Sequence, residues 1–354
     1  DNCWIESNDG KHTGEFIFAF TRKEIIHEKI PLNHPKGEKV PLNFAKRENK
    51  RIERYFNVGS EWLYVKIYCG TKIAEKFLTE IIKPFTEELL EKQVIDMFFF
   101  VRYADPDHHI RIRFHHGENK VFWEKVLERF NELVQPYVDA QLIYNIQIET
   151  YQRETERYGV ESIELSEELF YYNSRAVLNF ISLLYGDAGE QYRWKVALKA
   201  TDMLLDDFAF STIQKRDLLK WLRDSYVAEF NIGASQQKKI SEKYNNLKKE
   251  IYMIMNENYD DPDLQQVINS FKIDDQRYYS VITEIKKLAD KNNHKKLPEL
   301  MGSYIHMFLN RMFISNQRKH ELVIYDFLLK YYISKIAQDK SPLLPLKTEQ
   351  IAAV

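Results

Sequence analysis

The chain has 354 residues, 44% hydrophobic and 29% charged, with a formal net charge of −2 from 51 basic and 53 acidic side chains. That make-up describes a globular protein long enough for two domains or one elaborate one, and it argues against a general nucleic-acid coat, which needs a clear basic excess. No apolar run approaches the roughly 20 residues that span a bilayer, and Cys3 and Cys69 show no CxxC spacing, so neither a disulfide framework nor a structural zinc site is expected and a reducing cytoplasm fits best.

The N-terminus lacks the basic-then-apolar order of a signal peptide and starts without Met, as if the chain began partway through something. The stretch "SNDGKHTG" reads as a polar turn before a strand over 15–20, and the proline-containing, basic run up to about residue 56 reads as an irregular connection. "GSEWLYVKIYCG" gives a strand from Trp62 to Tyr68, followed by a helix over about 72–92 that is kinked or broken before Pro84. "DMFFFVRYADP" is apolar on both faces and is placed centrally in a sheet. After a turn at Asp105-Pro106-Asp107 comes "HHIRIRFHH", then a helix near 119–135, then a half-buried strand in which Leu142, Tyr144, Ile146 and Ile148 alternate with polar residues.

From Ser166 the pattern changes to helices. Ser166 is positioned to cap a helix ending at Gly186, and further helical stretches follow near 189–207, 212–230, 236–257, 263–290, 296–314 and 317–337. The expected fold is α+β: a mixed or antiparallel sheet in the N-terminal half packed with a mostly helical C-terminal half. The expected divisions are a segment 1–50, a main domain 51–340 (strand-rich over 51–160, helical over 161–340) and a tail 341–354.

Three clusters carry chemistry. Strand alternation puts His108, Ile110, Ile112, Phe114 and His116 on one face and His109, Arg111, Arg113 and His115 on the other. An edge strand with a solvated polar face is the plain reading. Two arginines suit bidentate binding of a carboxylate or phosphate, whereas a metal between His109 and His115 would face two cations and a separation of roughly 20 Å. An anion site is the better reading, with no metal. "YQRETERYG" offers Glu154 and Arg157 three apart, either an exposed salt bridge or an arginine oriented by its neighbour. His306, in the apolar helix "GSYIHMFLNRMFI", is either a satisfied core histidine or a base.

In order and spacing, "EWLYVKIY", "FFFVRYADPDHHIRIRF", "YQRETERYG" followed by "ELSEELF", and "SYIHMFLNR" resemble the C-terminal, glutamate-eliminating domain of class I lantibiotic dehydratases of the nisin type, a domain shared with thiopeptide-type bacteriocin biosynthesis proteins. The resemblance covers roughly residues 50–335, and "GKHTGEFIFAFTRK" resembles the end of the preceding glutamylation domain. It implies a lyase of ribosomal-peptide antibiotic biosynthesis that expels glutamate from glutamylated Ser or Thr, leaving dehydroalanine or dehydrobutyrine. The family's elimination residues fall on Arg111, Arg113, Glu154, Arg157 and His306, with His306 as base or proton shuttle; Arg102, His109 and Tyr151 are expected to contact substrate. The resemblance implies no metal or organic cofactor, because glutamyl-tRNA is used by the glutamylating protein rather than by this chain.

The chain is too short to hold a glutamylation domain as well, so a split enzyme or the C-terminal portion of a longer protein is expected. The expected partners are the glutamylated precursor peptide and a separate glutamylation-domain protein, with a cyclase and transporter complex and a homodimer as further candidates, and no direct nucleic acid. Two other readings stand beside elimination: a thiopeptide pyridine synthase joining two dehydroalanines, and a non-catalytic leader-peptide-binding partner of a dehydratase.

Overall fold

The computed structural model describes residues 4–7, 10–13, 52–184, 186–291 and 296–340, and the chain divides into two units at Arg51/Ile52. In the first unit, β1 (Trp4–Ser7) pairs antiparallel with β2 (Gly10–Thr13). A strand therefore starts inside the stretch read as a turn, since Lys11, His12 and Thr13 find backbone partners in Glu6, Ile5 and Trp4. The strand expected over 15–20, the connection as far as residue 51 and the 341–354 tail lie outside the described residues, while the end of that connection, read as irregular, forms a short strand at Tyr55–Phe56 because it pairs with Tyr151 and Gln152.

The second unit begins with β3 (Tyr55–Phe56) and β4 (Trp62–Cys69), then α1 (Thr71–Phe77), a π turn (Leu78–Ile82) and α2 (Lys83–Glu91). The interruption expected before Pro84 takes the form of this π turn, which accommodates a residue with no N–H to donate. There follow β5 (Met97–Ala104), β6 (His108–His115), α3 (Phe122–Asp139), β7 (Ile143–Glu149), β8 (Tyr151–Gln152) and α4 (Thr155–Tyr158). Four of these strands form one antiparallel sheet in the order β5-β6-β4-β7, while β3 pairs with β8. The helical half comprises α5 (Ile163–Ile181), α6 (Gly186–Asp207), α7 (Thr212–Glu229), α8 (Ala234–Met255), α9 (Pro262–Asn269), α10 (Gln276–Lys291), α11 (Leu297–Met312) and α12 (Gln317–Lys340). The fold is the expected α+β, with an antiparallel sheet.

The apolar face of β6 is core as its alternation predicts. Ile110, Ile112 and Phe114 are fully buried, and Phe85 of α2 links Phe114 to Phe130 of α3, with ring centroids 5.7 and 6.0 Å away. The placement of β5 needs correction, because it is an edge strand. Its free edge is closed by side chains instead of a neighbouring strand. The Phe100 N–H donates to Ser174 Oγ (3.2 Å), and Arg311 Nε donates to the Phe100 carbonyl (2.6 Å). Asn310 accepts from the Arg102 N–H at 2.9 Å and donates to its carbonyl at 2.8 Å, standing in for one residue of a partner strand.

The other edge, β7, forms as expected, but its apolar residues are not half-buried as a set. Tyr144 and Ile148 are 59% and 42% exposed, because among the described residues no further element covers that end of the sheet. Two helix boundaries also change. Ser166 lies inside α5, its hydroxyl donating back to the Ser162 carbonyl at 2.7 Å, and Gly186 opens α6. The single helix read over 263–290 is two, with Asp261 capping α9 through the Leu264 N–H and the chain turning before Asp275, which accepts from the Arg277 N–H at 2.7 Å. Among the described residues no helix is long and apolar enough to cross a membrane.

Candidate active site

Because β6 is paired on both sides, its backbone is fully used, and the face opposite the core carries a cleft of about 400 Å³. Arg111, Arg113, Tyr151, Glu154, Arg157 and His306 all line this cleft. Residues far apart in sequence, on a central strand, a short helical turn and a late helix, thus meet in one place.

Register fixes the arginines. Arg113 sits between Phe99 of β5 and Tyr64 of β4, and Arg111 between Val101 and Lys66. The Arg113 guanidinium lies 4.3 Å from the Tyr64 ring centroid, 4.8 Å from Tyr151 and 5.0 Å from Phe99. Aromatic faces hold a cation in position without neutralising it. Its Nε and Nη1 are buried and make no hydrogen bond among the described residues. Arg111 stacks 3.5 Å above the Tyr103 ring, and its Nε donates to His109 Nε2 at 2.9 Å. His109 Nδ1 in turn donates to the Asp107 carbonyl at 2.8 Å, so the ring is neutral and works as a brace behind Arg111. Burial, with the Arg111 and Lys66 charges adding to it, pulls the His109 pKa below its usual value.

Tyr151 is fixed from below. Its hydroxyl donates to Glu167 Oε1 at 2.7 Å, and that fully buried carboxylate is gripped by Arg153 through two bonds of 2.8 and 2.7 Å. Burial raises the Tyr151 pKa well above 10, so the phenol stays protonated. Glu154 occupies the N-cap position of α4 and pairs with Arg157 at 3.3 Å, both side chains about half exposed. Among the described residues lining the cleft it is the only carboxylate, against a set of arginines. The field inside is positive.

Arg102 also borders the cleft, but its side chain follows Ile110 and Ile112 to the opposite sheet face. There it pairs with Glu75 of α1 and donates through Nε to the Arg311 carbonyl at 3.0 Å. The same Glu75 accepts from Arg193 of α6 at 2.7 Å. His109 reaches the cleft only through Arg111.

Several contributors escape a reading of the sequence. His306 Nδ1 lies 3.0 Å from both carboxylate oxygens of Glu321 on α12, which leaves Nε2 as the nitrogen free to exchange a proton. Glu321 is fully buried and also accepts from the Tyr226 and Tyr325 hydroxyls, phenols whose pKa values burial raises. A carboxylate held in this way fixes the imidazole's tautomer and orientation. The one signal was an acid within the apolar stretch "ELVIYDFLL", at a similar distance after the α11–α12 turn as His306 lies before it. Arg318, stacked 4.4 Å over Tyr226, and the buried Tyr158 complete the wall. Fully buried Arg311 lies behind it with no carboxylate partner among the described residues; burial, and to a lesser extent the Arg113 charge, lowers its pKa. No group of three or more His, Cys, Asp or Glu among the described residues is placed to hold a metal ion.

A model of the C-terminal part of lantibiotic biosynthesis dehydratases matches residues 62–332, and the chain belongs to that family. Its relatives include the subtilin biosynthesis protein SpaB of Bacillus subtilis, 25% identical over 315 residues, covering 87% of this chain and 28% of SpaB. The nisin biosynthesis protein NisB of Lactococcus lactis subsp. lactis is 24% identical over 305 residues, covering 82% of this chain and 27% of NisB. The chain therefore spans little more than a quarter of the length of these relatives. Among solved structures, the tRNA-dependent lantibiotic dehydratase MibB from Microbispora sp. 107891 aligns with a TM-score of 0.60 and 19% identity, over 80% of this chain and 29% of MibB. The pyridine synthase TbtD from thiomuracin biosynthesis aligns with a TM-score of 0.52 and 12% identity, over 78% of this chain and all of TbtD. These likenesses are of fold.

Proposed function

We propose that this chain eliminates glutamate from glutamylated Ser or Thr of a ribosomally made precursor peptide. The observation that carries the reading is the pairing, across one cleft, of Arg111 and Arg113, which have no carboxylate partner among the described residues, with an imidazole oriented by Glu321. β-Elimination needs those two resources. A base must take the weakly acidic α-proton, and charge must be stabilised both on the substrate carbonyl oxygen and on the departing carboxylate.

In this scheme His306 Nε2 takes the α-proton, the Cα–Cβ double bond forms, and the Cβ–O bond breaks with its electron pair leaving on glutamate. Arg111, Arg113 and Arg157 accept the two developing anionic charges, and Glu154 keeps Arg157 aimed into the cleft. Tyr151, Arg102 and His109 act by positioning. The reading needs no metal or organic cofactor from this chain. Glutamylation is assigned to a separate protein that uses glutamyl-tRNA, and both act in the cytoplasm.

The likeness to TbtD along that protein's whole length favours a second reading, formation of a pyridine ring from two dehydroalanines. One experiment separates the two. A precursor peptide already glutamylated on Ser is incubated with the purified chain and followed by mass spectrometry. Wild type is expected to release glutamate and leave dehydroalanine, and His306→Ala to leave the glutamyl ester in place. Equal release by both proteins overturns the role of His306, and a wild type that leaves the ester untouched but cyclises a bis-dehydroalanine peptide establishes the second reading.

A further inference from the structure

A second cavity, of about 740 Å³, shares no lining residue with the cleft. Its size lies within the usual range for ligand sites. The walls are apolar, built by Trp194, Leu247, Phe313, Ile324 and Phe327, with His320 stacked face to face on Phe313 at 4.2 Å. Its rim is cationic. Among the described residues Lys72, Lys243 and Lys319 are exposed and form no ion pair, and no carboxylate lines the cavity. Three unpaired lysines around one apolar hollow are complementary to an acidic, apolar partner.

The backbone beside the hollow narrows the choice. Phe313 ends α11 in an extended conformation, and the N–H groups of Ile314, Ser315 and Asn316 have no acceptor among the described residues. An extended peptide can satisfy such groups one after another with its own carbonyls, whereas a lipid-like carboxylate carries acceptors only at its head. We propose that this cavity docks an acidic peptide segment that buries bulky apolar side chains against Phe313, Ile324 and Phe327 while its carboxylates meet Lys72, Lys243 and Lys319. The site does not depend on the elimination reading, and binding is measured without any reaction.

The test is fluorescence anisotropy with fluorescein-labelled Glu-Leu-Glu-Leu-Glu, using Lys-Leu-Lys-Leu-Lys and Glu-Ser-Glu-Ser-Glu as controls. Only the first is expected to saturate. Lys243→Glu combined with Lys319→Glu should raise its Kd about tenfold or more with the melting temperature unchanged, since both side chains are exposed and unpaired. Leu247→Glu should weaken it as well, and Arg113→Met, in the other cleft, should leave it unaltered. The proposal is overturned by absence of saturable binding, by equal binding of either control, by undiminished affinity in the charge-reversed protein, by loss of binding in Arg113→Met, or by equal displacement with decanoate.

Discussion

Arg113, on β6, and Arg153, just past β8, are both largely withdrawn from water, yet the fold treats them oppositely. Arg153 meets Glu167 with two hydrogen bonds and adds the Glu53 carbonyl at 3.2 Å. Arg113 rests among three aromatic rings with two of its nitrogens unsatisfied. Across the sheet, Arg102 and Arg193 are given a carboxylate like Arg153, sharing Glu75. Cations that join elements are given carboxylates; Arg111 and Arg113, on the strand beneath the cleft, are given aromatic faces and a neutral imidazole. Those supports hold position while leaving the charge available. That arrangement suits the anions of the proposed elimination.

The sharpest way to break this comparison is to treat the two arginines alike. Arg153→Met strands Glu167 as a buried carboxylate without its cation, which should cost about 3–5 kcal/mol of stability by denaturant titration. Elimination per folded molecule should stay within a few-fold of wild type. A loss below about 1 kcal/mol would mean the Arg153–Glu167 pair is not structural.

Arg113→Met leaves no carboxylate behind, so stability should move by only about 1–2 kcal/mol, the worth of its stacking. Elimination should fall about 10²- to 10³-fold, the usual result of removing one preorganised donor from a developing anion. An Arg113 variant that unfolds like the Arg153 variant, or keeps full rate, would erase the distinction between saturated and reserved arginines.

How far the sequence discloses this depends on the range of the interaction. Period-two alternation separated Ile110, Ile112 and Phe114 from Arg111 and Arg113, because a strand paired on both sides imposes that alternation itself. The same logic misplaced β5. Its two apolar faces suggested a central strand, but the burial comes from α5 and α11, whose Ser174, Asn310 and Arg311 also close its edge from about 70 to 210 residues away. The break between α9 and α10 was hidden because Leu264, Val267, Ile268 and Phe271 before it, and Tyr278, Val281, Ile282 and Ile285 after it, are all buried at helical spacing. Glu321 was hidden for the opposite reason. One buried acid has no periodicity, and its meaning appears only when α11 and α12 bring it to His306.

The smallest effect tests the brace behind Arg111. His109 must be neutral for its Nε2 to accept from Arg111, and burial with the Arg111 and Lys66 charges depresses its pKa below the free value of about 6.5. A group whose folded pKa is depressed takes up its proton more readily in the unfolded chain. Its contribution to stability is thus present above the unfolded value and is lost as pH falls through the folded one. Wild type should therefore lose stability between pH 7.5 and 5.5 that His109→Gln does not lose, since a glutamine oxygen can accept from Arg111 and does not titrate in this range. The comparison is of melting temperatures at the two pH values, in both proteins. If wild type and variant fall equally, the acid sensitivity belongs to other groups, and Arg111 is held by the Tyr103 ring alone. In that case the reserved arginines need only aromatic support, and the imidazole behind Arg111 is spare.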